Sequence, residues 1–183
     1  MSTRLVVVLG GTRSGKSRFG RDRAAALAGE GGSVAYLGTI VTGQGDAELD
    51  DRLRRHRLDR PAEWATIEVG HDLAAAVRSV QPGTTILIDG LTLWMSIVFG
   101  DDPGPIDDVL DGPFADALAA IAGHDGPIIV VSDEIGLGMV PLEPLSRAFR
   151  DLLGIAHQRL VAESDEAWFM VAGRPLALVG PEG

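Results

Sequence analysis

Short apolar runs alternate along the chain with longer mixed stretches, and this alternation predicts the order of the secondary structure. The apolar runs are rich in β-branched residues and are typical of buried strands, whereas the stretches between them have the length and spacing of helices. We expect strands at residues 4–9, 33–37, 66–69, 85–89, 127–132 and 167–171. We expect helices at residues 16–28, 48–58, 72–80, 91–99, 106–122 and 143–163, and Gly112-Pro113 is a natural point of division in the fifth.

The predicted strands are continuous apolar runs without polar alternation, which is typical of strands covered on both faces. Strands separated by helices of this length favour parallel pairing, with helices on both faces of the sheet. We find neither an internal repeat nor a low-complexity tract, and residues 180–183 have the composition of a frayed tail. We therefore predict a single α/β domain over residues 1–183 with a mostly parallel sheet.

Composition narrows the classes of function. The 183 residues are 45% hydrophobic and carry a formal net charge of −10, so we expect a globular domain that does not bind nucleic acid. Without cysteine the chain has no disulfide, no thiolate metal site and no cysteine nucleophile. The first apolar run ends at a glycine and no run approaches the length of a membrane span, which predicts a cytoplasmic protein without membrane insertion.

The segment between the first strand and the first helix is a full match to the phosphate-binding loop of P-loop proteins. Its residues are Gly10, Gly11, Thr12, Arg13, Ser14, Gly15, Lys16 and Ser17. In such a loop the backbone N–H groups surround a phosphate, the lysine reaches the β- and γ-phosphates, and the serine hydroxyl coordinates Mg²⁺. The alternative is a glycine-rich turn that only caps a helix, but Lys16 is the one lysine of the chain and falls at the required position.

A carboxylate closes the apolar run at residues 85–89. Asp89 stands where P-loop proteins hold their magnesium ion or a water molecule, although it is also placed to cap the helix that follows. Asp133-Glu134 closes the strand at residues 127–132 in the same way and is a rival for this role. Spacing alone leaves both alternatives open.

Residues 52–60 form a basic segment in an otherwise acidic chain. Six of these nine residues carry or can carry a positive charge, and His56 lies in their middle. Cationic neighbours disfavour the imidazolium, which would keep His56 neutral and nucleophilic, and arginines are suited to holding phosphates. The alternative is a basic helix that pairs with acidic residues at positions 46–51. The chain has no asparagine, which excludes the Asn-Lys-x-Asp guanine motif of switch GTPases.

Together these segments resemble a known family, the bifunctional adenosylcobinamide kinase/adenosylcobinamide-phosphate guanylyltransferases of cobalamin biosynthesis. The resemblance runs in order through residues 10–17, 52–64, 89–94, 133–141 and 147–154 to Val171-Ala172-Gly173. It implies a P-loop NTPase-like fold and a homotrimer. It also implies phosphorylation of adenosylcobinamide by ATP or GTP with Mg²⁺, then transfer of GMP from GTP to adenosylcobinamide phosphate through a guanylyl-histidine.

The resemblance assigns roles to individual residues. His56 falls on the guanylylated histidine, Lys16 on a catalytic group, and Ser17 and Asp89 on the metal ligands. Outside the phosphate loop, the implied nucleotide contacts are Gly38, Thr39, Ile40, Arg57, Leu58, Asp59, Arg60, Glu68 and Asp89.

The chain departs from the family pattern at three positions where asparagine is usual, namely Ile97, Asp133 and His157. Two other functions compete with the one implied by the resemblance. A plain P-loop small-molecule kinase would use Lys16 and Asp89 without a histidine adduct, and a nucleotide-binding regulatory or scaffold protein would bind nucleotide without turnover.

Overall fold

A computed structural model describes residues 4–39 and 61–179 of the chain. Its strands are β1 (Leu5–Gly10), β2 (Val34–Gly38), β3 (Ala65–Glu68), β4 (Thr85–Asp89), β5 (Ile128–Asp133), β6 (Glu166–Val171) and β7 (Arg174–Val179). Its helices are α1 (Lys16–Ala28), α2 (Leu73–Arg78), α3 (Leu91–Phe99), α4 (Ile106–Asp111), α5 (Pro113–Gly123) and α6 (Pro144–Ala162).

The seven strands form one sheet in the order β3-β2-β4-β5-β1-β6-β7. Every pairing is parallel except that of β6 with β7, which confirms the prediction of a mostly parallel sheet. The predicted strands are all present within one residue of their expected bounds. The sequence analysis does not predict strand β7, which follows β6 after a turn of two residues and is exposed along its whole length.

Alternate residues of the central strands face opposite sides of the sheet, and each side carries its own apolar core. Val6 and Val8 of β1 pack with α1, whereas Leu5, Val7 and Leu9 belong to the core covered by α2 to α6. Helices on both faces are therefore confirmed.

The helical region at residues 106–122 is divided, as predicted, at Gly112. This residue leaves the helical conformation, with φ −100° and ψ −108°, and Pro113 then begins α5 with its fixed φ. The helix predicted at residues 48–58 lies outside the described residues. Among the helices that the structure describes, none is both long and apolar enough to cross a membrane.

The sheet order decides where the polar strand ends meet. Because β5 lies between β1 and β4, the carboxyl ends of these three strands stand side by side. The register pairs Gly10 with Asp133, and Asp89 with Val131. Ligands of open α/β sheets bind outside this edge, so the fold brings the phosphate loop and both candidate aspartates to the expected place.

Candidate nucleotide-binding site

The phosphate loop occupies the turn between β1 and α1, where its glycines are required by close contacts and by the backbone. A Cβ atom at Gly10 would lie 2.6 Å from Ser14 Oγ and 2.9 Å from the Met170 carbonyl oxygen. Gly15, the N-cap of α1, has a φ of 95°, which side chains disfavour. The β6–β7 turn braces the loop, since Gly173 N donates to Ser14 O at 2.9 Å. The loop therefore opens α1 in the predicted context.

The side chain of Lys16 is buried and lies across this loop. Its ammonium group donates to Gly11 O at 3.3 Å and forms an ion pair with Asp133 Oδ1. A buried ammonium requires a partner, and Asp133, at the end of the adjacent strand, provides it. Lys16 and Asp133 are thus brought together by the pairing of β1 with β5.

The hydroxyl of Ser17 points at the end of β4, where Asp89 is buried. Ser17 Oγ donates to Asp89 Oδ1 at 3.2 Å, and the Tyr36 hydroxyl donates to Asp89 Oδ2 at 3.1 Å. The N-cap of α3 is Gly90, the residue after Asp89. A hydroxyl and a carboxylate at this separation are the protein oxygens that suit Mg²⁺, which keeps water and phosphate as its other ligands.

The sequence of the chain matches a known protein family. The family model described as "Cobinamide kinase / cobinamide phosphate guanyltransferase" matches residues 6–178. The chain is 42% identical, over 95% of its length and 96% of the relative's, to the bifunctional adenosylcobalamin biosynthesis protein CobP of Pseudomonas aeruginosa. It is 32% identical to the CobU protein of Salmonella typhimurium, over 92% of the chain and 96% of that protein. The chain belongs to the cobinamide kinase/guanyltransferase family.

Similar solved structures support the fold alone. The flagellar accessory protein FlaH of Methanocaldococcus jannaschii superposes with a TM-score of 0.53 at 13% identity, over 98% of this chain and 80% of that one. A solved ATPase domain gives a TM-score of 0.52 at 13% identity, over 91% of this chain and 68% of the other. The P-loop NTPase-like fold is confirmed. The family match confirms a bifunctional kinase and guanyltransferase of cobalamin biosynthesis.

Several residues predicted to contact nucleotide in this cobinamide kinase/guanyltransferase lie along the same edge. Gly38 and Glu68 end the neighbouring strands β2 and β3, and Val69 N donates to Gly38 O at 2.8 Å. Thr39 is buried and donates from Oγ1 to Gly90 O at 2.6 Å. Its hydroxyl therefore holds the end of β2 against the turn that follows β4.

The remaining predicted site residues lie outside the described part of the chain. They are Ile40, His56, Arg57, Leu58, Asp59 and Arg60. Their roles stay predictions.

A buried polar cluster beside the site was not predicted as a unit. Thr92 at the start of α3, Ser132 in β5 and His157 in α6 lie in hydrogen-bond contact. Burial lowers the pKa of the His157 imidazole, an effect that the nearby charges of Glu134 and Asp133 only partly offset. No local pattern joins these residues, because they come from three elements that only the tertiary fold brings together.

Proposed function

We propose that the carboxyl edge of the sheet binds the nucleotide, with its phosphates in the loop at residues 10–17. The observation that carries this proposal is the placement of Lys16 and Ser17 against the carboxylates of Asp133 and Asp89. A triphosphate would draw the Lys16 ammonium to its β- and γ-phosphates and replace the contact with Asp133. Gly38, Thr39 and Glu68, on the same edge, would contact the rest of the nucleotide.

Ser17 and Asp89 would hold Mg²⁺ between the loop and β4. The bound ion would neutralise charge on the β- and γ-phosphates. Tyr36 keeps the Asp89 carboxylate oriented through its second oxygen. This arrangement favours Asp89 over Asp133 as the metal ligand, because the Ser17 hydroxyl contacts Asp89.

In the first reaction, the hydroxyl of the aminopropanol arm of adenosylcobinamide attacks the γ-phosphorus of ATP or GTP. A new P–O bond forms to the acceptor oxygen, the bond to the β,γ-bridging oxygen breaks, and the nucleoside diphosphate leaves. Lys16 acts as a catalytic residue by stabilising the charge that develops on the transferred phosphoryl group.

In the second reaction, the His56 imidazole attacks the α-phosphorus of GTP and pyrophosphate leaves. Adenosylcobinamide phosphate then takes GMP from the histidine and gives adenosylcobinamide-GDP. Support comes from the family match, which spans residue 56, and from the arginines next to it in the sequence, whose charge would disfavour an imidazolium. In this proposal Ile40, Arg57, Leu58, Asp59 and Arg60 line the guanosine phosphate.

We further propose that a single domain carries both reactions in a cytoplasmic homotrimer. The loop before α6 exposes Leu137, Met139, Val140 and Leu142, with 94% of Met139 accessible. Exposed apolar groups in such density are typical of an interaction surface. Light scattering after size-exclusion chromatography tests the trimer, and a monomeric mass at micromolar concentration would contradict it.

The guanylyl-histidine is tested by the mass of the intact protein after incubation with GTP and Mg²⁺. We expect the wild type to gain one GMP that acid removes, and the His56→Ala variant to gain none. His71→Ala is the matched control, because it removes another histidine of the chain and should leave the adduct intact. If the wild type binds GTP but forms no adduct, a plain kinase replaces the bifunctional mechanism.

A further inference from the structure

A chain of buried side chains leads from the end of β5 to α6. Asp133 N donates to Thr92 Oγ1 at 2.7 Å, and Thr92 Oγ1 lies 2.9 Å from Ser132 Oγ. Ser132 Oγ lies 2.8 Å from His157 Nε2. On the other side of the imidazole, His157 Nδ1 lies 3.5 Å from Glu134 Oε2. The described residues therefore form one continuous polar path to the Glu134 carboxylate.

The donors and acceptors along this path determine which atom donates in each hydrogen bond. Thr92 Oγ1 accepts the backbone N–H of Asp133, and its own proton is directed between Ser132 Oγ and the Asp133 carbonyl oxygen, which lies 3.4 Å away. The Ser132 proton then goes to His157 Nε2, which leaves the proton of the neutral ring on Nδ1. A ring N–H directed at a carboxylate is favourable, whereas the opposite tautomer would place a lone pair against it. The charge of Glu134 therefore selects the tautomer of His157.

Glu134 itself stands at the reacting edge of the sheet. Its backbone N–H donates to Gly10 O at 3.0 Å, which fixes it beside the first residue of the phosphate loop. One carboxylate oxygen accepts from Gly136 N, and the other faces His157. The side chain is 20% exposed, so the carboxylate is held by the protein and the side chain stays partly accessible.

The neighbouring carboxylates are committed to other partners. Asp133 forms an ion pair with the Lys16 ammonium, and Asp89 accepts from the hydroxyls of Ser17 and Tyr36. Glu134 differs from both, because its neighbour among the described residues is a neutral imidazole that only orients it.

We propose that Glu134 is the general base of the kinase reaction and that His157 is its positioning residue. This inference rests on the proposed function. The acceptor hydroxyl gives its proton to Glu134 Oε2 as its oxygen forms a bond to the γ-phosphorus and the nucleoside diphosphate leaves. The proton then leaves the Glu134 carboxyl for solvent, and His157 Nδ1–H continues to orient Oε2 throughout the cycle. The 3.5 Å separation is of the kind that shortens when substrate binds.

The first test is the rate of phosphate transfer from ATP to adenosylcobinamide by the Glu134→Gln variant. Glutamine keeps the size of the side chain and an oxygen for Gly136 N, but it cannot take a proton. We expect kcat to fall by about 10²- to 10⁴-fold, the usual contribution of a general base. The dissociation constant for ATP and the formation of the GMP adduct should stay within about threefold of wild type. The matched control is Glu163→Gln, the same change on the exposed end of α6.

The second test separates positioning from packing at His157. His157→Asn retains an N–H donor close to the position of Nδ1, whereas His157→Leu fills the site without a donor. The charged groups that face His157 are Glu134 and Asp133, and Asp133 is tied to Lys16. We expect the acid limb of the pH profile of kcat to move to higher pH in His157→Leu, because a carboxylate without its donor is protonated more easily. His157→Asn should keep the limb near its wild-type position.

The two tests distinguish failure of the proposed kinase reaction from failure of the assignment of Glu134 as its general base. If the wild type binds ATP but makes no adenosylcobinamide phosphate, the proposed kinase reaction fails and this assignment falls with it. If the wild type is active and Glu134→Gln stays within about threefold of it, only the general base is wrong. The assignment is equally overturned if the His157→Leu and His157→Asn limbs coincide. Should Glu134→Gln not fold, the two His157 variants decide alone.

Discussion

Each of the two edges of the sheet holds an ion pair with one buried member, and the two buried groups differ in the number of their partners. At the amino edge, Glu166 is fully buried at the start of β6. Arg23 donates to it from Nε at 3.1 Å and from Nη2 at 2.7 Å, Trp168 Nε1 donates at 3.2 Å, and Arg4 pairs with it as well. At the carboxyl edge, the Lys16 ammonium contacts only Asp133 Oδ1 and Gly11 O among the described residues.

This difference in partners distinguishes a charge that stabilises the fold from a charge that is placed to bind a ligand. Around Glu166 the donors saturate both carboxylate oxygens, so nothing is left for a ligand to satisfy. Lys16 has three N–H donors and two partners among the described residues, and it belongs to a loop whose sequence matches phosphate-binding loops. We infer that Glu166, whose hydrogen-bonding capacity is filled, stabilises the fold at the amino edge. We infer that Lys16, whose donors are not all used among the described residues, belongs to a binding site at the carboxyl edge. Four variants test this contrast.

The largest effect is expected from Lys16→Met, which keeps the length of the side chain and removes its charge. Phosphate transfer to adenosylcobinamide should fall by about 10³-fold or more, because a preorganised positive charge is lost from the transition state. The midpoint of thermal unfolding should fall less than in Glu166→Gln, since the Asp133 side chain is partly exposed whereas that of Glu166 is fully buried. Steady-state kinetics and a thermal melt measure the two effects. A large loss of stability with little loss of activity would reverse the assignment of the two edges.

Glu166→Gln should have the opposite effect, namely a loss of stability without a loss of nucleotide binding. Breaking a buried ion pair costs about 3–5 kcal/mol of unfolding free energy, and we expect the lower end because Arg4 and Arg23 both reach solvent. Nucleotide affinity should be unchanged. Urea unfolding measures the loss, with Asp111→Asn as the control. Its exposed pair with Arg159 should be worth less than about 1 kcal/mol. Equal losses in the two variants would show that burial does not distinguish these pairs.

Asp133→Asn should increase the affinity for ATP by up to about tenfold. The carboxylate competes with the phosphates for Lys16 and adds a negative charge beside them, and the amide removes both effects. Calorimetric titration with ATP and Mg²⁺ checks this. Asp151→Asn, an exposed aspartate on α6, is the control for the change in net charge. Weaker binding in Asp133→Asn than in Asp151→Asn would mean that Asp133 holds the nucleotide.

The smallest effect is the pH dependence that His157 gives to stability. Burial lowers the pKa of His157 in the folded state, so below about pH 6.5 the unfolded chain binds a proton that the folded chain does not. The free energy of unfolding should therefore decrease as pH falls below about 6.5, by at most about 1.4 kcal/mol per pH unit from this group. Urea unfolding between pH 5 and 8 measures it. His157→Asn should lose this dependence, and a parallel decline in both proteins would assign it elsewhere.

The sequence predicts the parts of this molecule that local chemistry determines. The bounds of α1 and of β4 are predicted without error, because a phosphate loop and a carboxylate fix where these elements begin or end. β7 is not predicted because only Ala172 and Gly173 separate it from β6, and this turn has a positive φ at Ala172, an unusual residue there. The Lys16–Asp133 pair depends on strand order, which spacing along the chain does not encode.

The most direct test of the contrast between the two edges is the shift in melting temperature that ATP and Mg²⁺ produce in wild type, Lys16→Met and Glu166→Gln. At a ligand concentration of about 100 times Kd, binding adds about 2.7 kcal/mol, or about 5–10 °C for a chain of this size. We predict this shift in the wild type and in Glu166→Gln, although the latter starts from a lower temperature, and none in Lys16→Met. A full shift in Lys16→Met, or its loss in Glu166→Gln, would contradict the placement of the nucleotide at the carboxyl edge.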